Sequence, residues 1–397
     1  MRNHRMLMLL LVVGLMVTQT GCWSSKEIED LSMYIGLALD DGKPTPTEQK
    51  LDKQGQGYPK RNLITATVQI VPVKTGSNNQ HEKGAGKGDG FLNESETGDS
   101  LLQVMRQYSL RRERAVIGHH LKVIIISTEL IQKQSIDKLM DFVLRDNDIR
   151  PSCITLLSRG MARDTLVAGH SGEIPAFKLQ AMPRGHFRTG KIMRGVNLTR
   201  LDSLIGSKQS FILQEVATSG GEAEFSGAGI IKGDTGKYIG SLDQTDVQSI
   251  AWIRGDIQGG VIKSYDWHDE PMTYEVEGMK SKIIPRLEGD QLSFQVKIES
   301  EGRMIENWDV EEDPSKAEFL KRAEKVFEDT LLQMLEHLLV KLQSKHKVDV
   351  SGFGKQLSVD HPQYWKKVKD RWDEVFSQTP VTFDVKFTIT DYGSSKK

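Results

Sequence analysis

At 397 residues the chain exceeds the usual domain of roughly 100–200 residues, so two or three domains are expected. Its 53 basic and 54 acidic residues nearly cancel, and a composition 38% hydrophobic and 27% charged suits a folded body rather than a disordered chain. That balance excludes nucleic-acid binding through bulk positive charge, and two cysteines exclude a disulfide framework, a four-cysteine zinc site and an iron–sulfur cluster.

The amino terminus carries Arg2 and Arg5 ahead of an apolar run over residues 6–17, broken only by Gly14. A short basic segment before such a run is a secretory signal, and the run is shorter than the roughly 20 residues of a transmembrane helix. Thr20-Gly21-Cys22 closes the segment and resembles the lipobox of bacterial lipoproteins. The resemblance implies that residues 1–21 are a cleaved signal peptide and that Cys22 is the lipid attachment point. Two or three acyl chains, at about 0.8 kcal/mol per buried methylene, hold a soluble body at a membrane. Removal of residues 1–21 leaves 51 basic against 54 acidic residues, too small an imbalance to bind a membrane by charge. With no later run of 18 apolar residues, the body is expected to be tethered outside the cytoplasm without crossing again.

Residues 22–200 are expected to form an N-terminal α/β domain with a mixed sheet. A short helix-like stretch over 26–31 leads into a strand over 33–39, ended by the turn signal Asp40-Asp41-Gly42. A second strand spans 63–73, where Ile64, Ala66, Val68 and Ile70 alternate with Thr65, Thr67 and Gln69. The intervening 43–61 and the following 74–98, rich in Gly, Asn, Ser and charge, read as loops. Asp99 or Ser100 caps a helix carrying Leu101, Leu102, Met105 and Tyr108 inward. Residues 121–127 form a strand covered on both faces. A helix from Thr128 to Pro151 and a strand over 153–157 follow, a spacing that implies a right-handed parallel crossover. A short helix over 161–168 closes the unit, and 171–219 reads as a looser interdomain connection.

A small middle domain is expected over 201–270: a hairpin of strands 225–231 and 237–241, then a helix capped by Asp243 and running to Ile253. Residues 271–397 read as an α+β domain, an antiparallel sheet packed by a long helix. Strands 272–285 and 291–300 flank the turn Glu288-Gly289-Asp290. The helix starts at Asp313-Pro314 and runs to about Lys345, with Phe327, Leu331, Met334 and Leu338 on one stripe. A second helix over 362–376 turns Trp365, Val368, Trp372 and Val375 inward, and the last strand alternates from Val381 to Ile389.

Signatures of chemistry are absent: no H-E-x-x-H, G-x-S-x-G, EF-hand loop or C-x-x-C occurs. The glycine-rich residues 83–88 lack the Ser or Thr after lysine that a phosphate cradle needs. His119-His120 points its rings to opposite faces of an extended chain, a poor pair for a metal. Trp267-His268-Asp269-Glu270 reads as a solvated turn, Cys153 as core filling, and Arg111-Arg112-Glu113-Arg114 as a solvated helix end. No catalytic residue, cofactor site or metal site is nominated.

Several stretches stand out in order along the chain: Gly21-Cys22-Trp23 with residues 26–31 and 35–40, residues 117–126, residues 142–150, residues 227–232, and Asp349-Val350-Ser351-Gly352-Phe353-Gly354 followed by Trp365. Together this ordered set resembles the Ger(x)C spore-germination lipoproteins. Ser24 stands where the family usually carries an acid. The resemblance implies a non-enzymatic C subunit of a nutrient germinant receptor, anchored through lipid on Cys22 to the outer face of the spore's inner membrane. It also implies docking with membrane-embedded A-type and B-type subunits. A solute-binding lipoprotein serving a transporter is the alternative, although such proteins usually show two α/β lobes of repeated strand–helix units. A wall-active hydrolase would need a carboxylate or metal constellation that the sequence does not display.

Overall fold

The computed structural model describes residues 31–44, 46–54, 60–71, 90–169 and 172–393. Among these, nine strands form a first sheet: β1 (Leu31–Asp41), β2 (Ile64–Val71), β3 (Leu92–Gly98), β4 (Ala115–Ile117), β5 (Val123–Ser127), β6 (Ile154–Arg159), β7 (Phe211–Ser219), β8 (Glu222–Ile231) and β9 (Tyr238–Leu242). Their order is β3-β2-β1-β5-β6-β7-β8-β9, with β4 also on β1. Strands β1, β5, β6 and β7 run parallel, and antiparallel strands extend both flanks.

Helices α1 (Pro46–Gln54), α2 (Leu101–Gln107), α3 (Thr128–Lys133), α4 (Ile136–Arg145), α5 (Ala162–Thr165), α6 (Pro175–Ala181) and α7 (Leu198–Ser207) accompany this sheet. Alternate residues of β5 enter different cores, which is why Val123-Ile124-Ile125-Ile126 is apolar throughout. Ile124 and Ile126 pack with Leu37, Leu139 and Leu201, whereas Val123 and Ile125 pack with Ala38, Leu166 and Leu179. Helices α2, α3, α4 and α7 thus cover one face and α5 and α6 the other.

Several stretches depart from the expected pattern. The polar 43–61 segment contains α1, and β3 lies inside the expected loop 74–98. Polar as it is, β3 pairs through side chains as well as backbone: Thr97 with Thr65 at 2.9 Å, Ser95 with Thr67 at 2.7 Å, and Asn93 with Gln69 at 3.0 Å. A strand held by a polar ladder lacks the apolar alternation by which strands are read. The helix expected from Thr128 breaks at Gln134-Ser135 into α3 and α4, where the Ile136 N–H donates to the carbonyl of Gly236. The expected connection 171–219 holds α6, a 3₁₀ turn (Met182–Phe187), α7 and β7. Strand pairing crosses residue 200, since β7 lies parallel to β6 and β8 and β9 continue the same sheet.

The second sheet has the order β10-β11-β12-β13, comprising β10 (Val261–Tyr265), β11 (Pro271–Glu288), β12 (Gln291–Asn307) and β13 (Val381–Asp391). The first three strands are antiparallel, but β13 lies parallel to β12, because the chain crosses over through helices before returning. Ahead of this sheet, α8 (Gln244–Arg254) starts at Asp243 with reciprocal capping by Asp246. The long α9 (Ala317–Val340) runs on into a π turn, Lys341–His346. It starts three residues beyond Pro314, because Asp313 accepts both the backbone N–H and the hydroxyl of Ser315 in a turn of its own. The expected 362–376 helix divides into α11 (Pro362–Val368) and α12 (Trp372–Gln378), preceded by α10 (Phe353–Asp360). Phe319, Phe327, Leu331, Leu335 and Leu338 form the buried stripe of α9. Ile212, Ala228, Ile230 and Leu242 of the first sheet belong to the same apolar cluster as this stripe. No helix among the described residues is long and apolar enough to cross a membrane.

Candidate functional site

Cys22, the signal peptide 1–21 and the glycine-rich residues 83–88 lie outside the described residues. Cys153 is buried in the core of the first sheet, and burial pushes its thiol well above the ordinary value, so it is no nucleophile. Two arginines of the basic cluster are paired within the chain. Arg111 pairs with Glu96 and Arg112 with Glu94, two carboxylates of the polar strand β3. His119 Nε2 lies 3.4 Å from Asp148, and burial with the nearby cations Arg150 and Lys122 holds His120 below its usual range.

A cavity of about 400 Å³ lies between the start of α4, the end of α7 and the turn joining β8 to β9. The Ile136–Gly236 hydrogen bond of 2.8 Å ties the turn to the helix start. Lys208 closes α7 in a left-handed conformation. Five lysines line the cavity, with Asp137 and Asp234 as its acidic members. Lys133 is held by Asp41 at 2.7 Å and Glu129 at 3.3 Å, and Lys232 by Asp373 at 2.7 Å. Lys138, Lys208 and Lys237 take part in no ion pair among the described residues. Ser135, only 8% exposed, stands at the N-cap of α4 without bonding a backbone N–H. This arrangement suits a small anion and pairs no nucleophile with a base. Its lining comes from four separated segments, so no spacing in the sequence announces it.

A second cluster joins the turn expected to be merely solvated to a residue 41 positions later. His268 Nδ1 lies 2.8 Å from Asp309 Oδ2, with Asp266 beside them. The hydrogen bond raises the pKa of His268 and lowers that of Asp309.

Two of the sequence stretches that resemble known proteins have structural roles. Asp349 is buried, and its carboxylate accepts N–H groups from Ser351, Gly352, Phe353 and Gly354 and the indole N–H of Trp372. Gly227 has φ +135° and packs against the chain at Leu242 and Asp243, where β9 passes into α8.

Residues 24–218 match the family model described as "Spore germination protein N-terminal domain", and residues 226–393 match "Spore germination B3/ GerAC like, C-terminal". The chain is 39% identical over 392 residues to spore germination protein YndF of Bacillus subtilis (strain 168), covering 98% of this chain and 97% of that one. It is 30% identical over 380 residues to spore germination protein B3 of the same organism, covering 95% of each. Among solved structures, the GerBC protein matches with a TM-score of 0.61 and 26% identity, over 92% of this chain and 100% of the other.

Proposed function

Because the chain belongs to the Ger(x)C family of spore germination proteins, whose models match nearly its whole length, we propose that it is the lipid-anchored C subunit of a nutrient germinant receptor. In this reading Cys22 carries the acyl chains on the outer face of the spore's inner membrane. The body docks with membrane-embedded A-type and B-type subunits and performs no catalysis. The full-length family match carries the proposal. The anchor supplies what the described body lacks, since none of its helices is built to cross a bilayer. Leu31 follows Cys22 by nine residues, so at about 3.3–3.6 Å per residue the start of β1 stays within about 30 Å of the lipid. Such confinement raises the effective concentration of the body for membrane partners without any new contact.

Replacing Cys22 with alanine should move the protein from the membrane to the soluble fraction of spore extracts and sharply reduce nutrient-triggered germination. Membrane retention at the wild-type level would overturn the anchor. Release with undiminished germination would overturn the receptor role.

A second reading, capture of a small anionic solute by the body, takes its support from the lysine-lined cavity. Inorganic phosphate or acetate titrated onto the full chain should bind at least tenfold more weakly after Lys138→Glu with Lys208→Glu. Equal binding by both proteins would remove that reading.

A further inference from the structure

We propose that Asp266, His268 and Asp309 form a binding site for a divalent transition-metal ion, with zinc the best fit to the donor set. Asp266 and His268 lie in the turn between β10 and β11, and Asp309 lies just beyond β12. One ligand atom from each, two carboxylate oxygens and one imidazole nitrogen, falls within 4.8 Å of the others.

The carboxylates are divided in their duties. Asp266 Oδ1 accepts the backbone N–H groups of His268 at 2.8 Å and Glu270 at 2.9 Å, which fixes the turn. Its Oδ2 is buried and has no hydrogen-bond partner, in a residue only 6% exposed. Asp309 Oδ1 likewise accepts the N–H of Glu311 at 2.8 Å, leaving Oδ2 toward His268. A histidine–aspartate ion pair alone accounts for Asp309 and His268 but leaves Asp266 Oδ2 orphaned. Burying a carboxylate oxygen without a partner is costly, and a cation at the centre of the three groups removes that cost.

The chemistry selects among cations. Calcium and magnesium favour sets built of oxygen alone, whereas one imidazole with carboxylates suits zinc and its neighbours. The 2.8 Å between His268 Nδ1 and Asp309 Oδ2 is that of a hydrogen bond, and the ion would replace its proton as the two atoms part to about 3.4 Å, the edge of a tetrahedron with bonds of about 2.0–2.2 Å. Half of the His268 side chain is exposed, which leaves an open side for entry and for water as a further ligand. The surroundings hold the two loops in place: Asn307 Nδ2 donates to the Asp309 carbonyl, and Trp267 Nε1 donates to Glu312 beneath the Arg322 guanidinium. Bound metal would clip the β10–β11 turn to the end of β12, beside the exposed Trp308 and Val310.

The test is titration of the full chain with zinc chloride after chelator treatment, read by calorimetry and thermal unfolding. Cobalt(II) absorption supplies a spectroscopic report of the ligands. One zinc per chain with a rise in Tm is expected. Asp266→Asn and, separately, His268→Ala should each weaken binding at least tenfold and abolish the Tm rise, while both metal-free variants keep a cooperative transition. Equal zinc uptake by wild type and both variants would overturn the site, and so would no uptake by wild type.

Discussion

Replacement of Asp349 with alanine is expected to cost the folded chain about 3–5 kcal/mol, a large share of a typical stability of about 5–15 kcal/mol. One carboxylate organises the whole entry to α10. Oδ1 accepts from Ser351 at 2.9 Å, Gly352 at 3.0 Å and Phe353 at 3.4 Å. Oδ2 accepts from Gly354 at 2.6 Å and from Trp372 Nε1 at 2.8 Å. The residue is 7% exposed, so truncation leaves several donors with little access to water, each worth about 1–3 kcal/mol when buried unpaired. The indole also packs edge-on to Phe294 and within the ring cluster of Phe376, so loosening it opens the core of the second sheet. Asparagine, which keeps one acceptor oxygen but turns an amide toward N–H groups, should fall between the two. Urea unfolding of the three proteins checks this ordering at constant m-value. A loss below about 1 kcal/mol for alanine would show that the bonds are replaceable.

Gly227→Ala should be at least as damaging and should leave little soluble protein. Its φ of +135° is strained for any residue with a side chain. A Cβ there would stand 2.0 Å from the Leu242 carbonyl oxygen, with backbone atoms of Asp243 at 3.0 Å. Neither neighbour is a flexible side chain, so relief requires shifting β9 and the capped start of α8 together. The control is Gly206→Ala in α7, where nothing lies within 4 Å. There the loss of unfolded-state freedom should stabilise by up to about 1 kcal/mol. Yield and thermal midpoint of the two variants should therefore move in opposite directions.

Elements whose apolar pattern has one period were legible in the sequence. The buried run of β5, the hairpin of β8 and β9, Asp243 as a cap and the stripe of α9 are of this kind. Elements held by polar pairing were not: β3 presents Asn93, Ser95 and Thr97 to a partner rather than to water. The short helices between residues 172 and 207 were hidden by proline and glycine, although Pro175 opens α6 as a first-turn residue and Asn197 caps α7. Sites assembled from distant segments leave no spacing to read. The cavity gathers four segments, and Asp309 meets His268 only because β11 and β12 return the chain to the same end of the sheet.

The apolar cluster shared by the two sheets bears on cooperativity. The family models part between residues 218 and 226, inside the β7–β8 pair, whose register runs from Phe211 opposite Ile231 to Ser219 opposite Glu222. Severing the chain there would leave β7 as a raw sheet edge on one fragment, a template for adhesion. It would also strip Ala228 and Ile230 of their strand partners Gln214 and Ile212 on the other. The seam visible in sequence similarity is thus not a seam in the fold: the β7–β8 pairing and the shared apolar cluster tie the two matched segments together, so a single unfolding transition is expected.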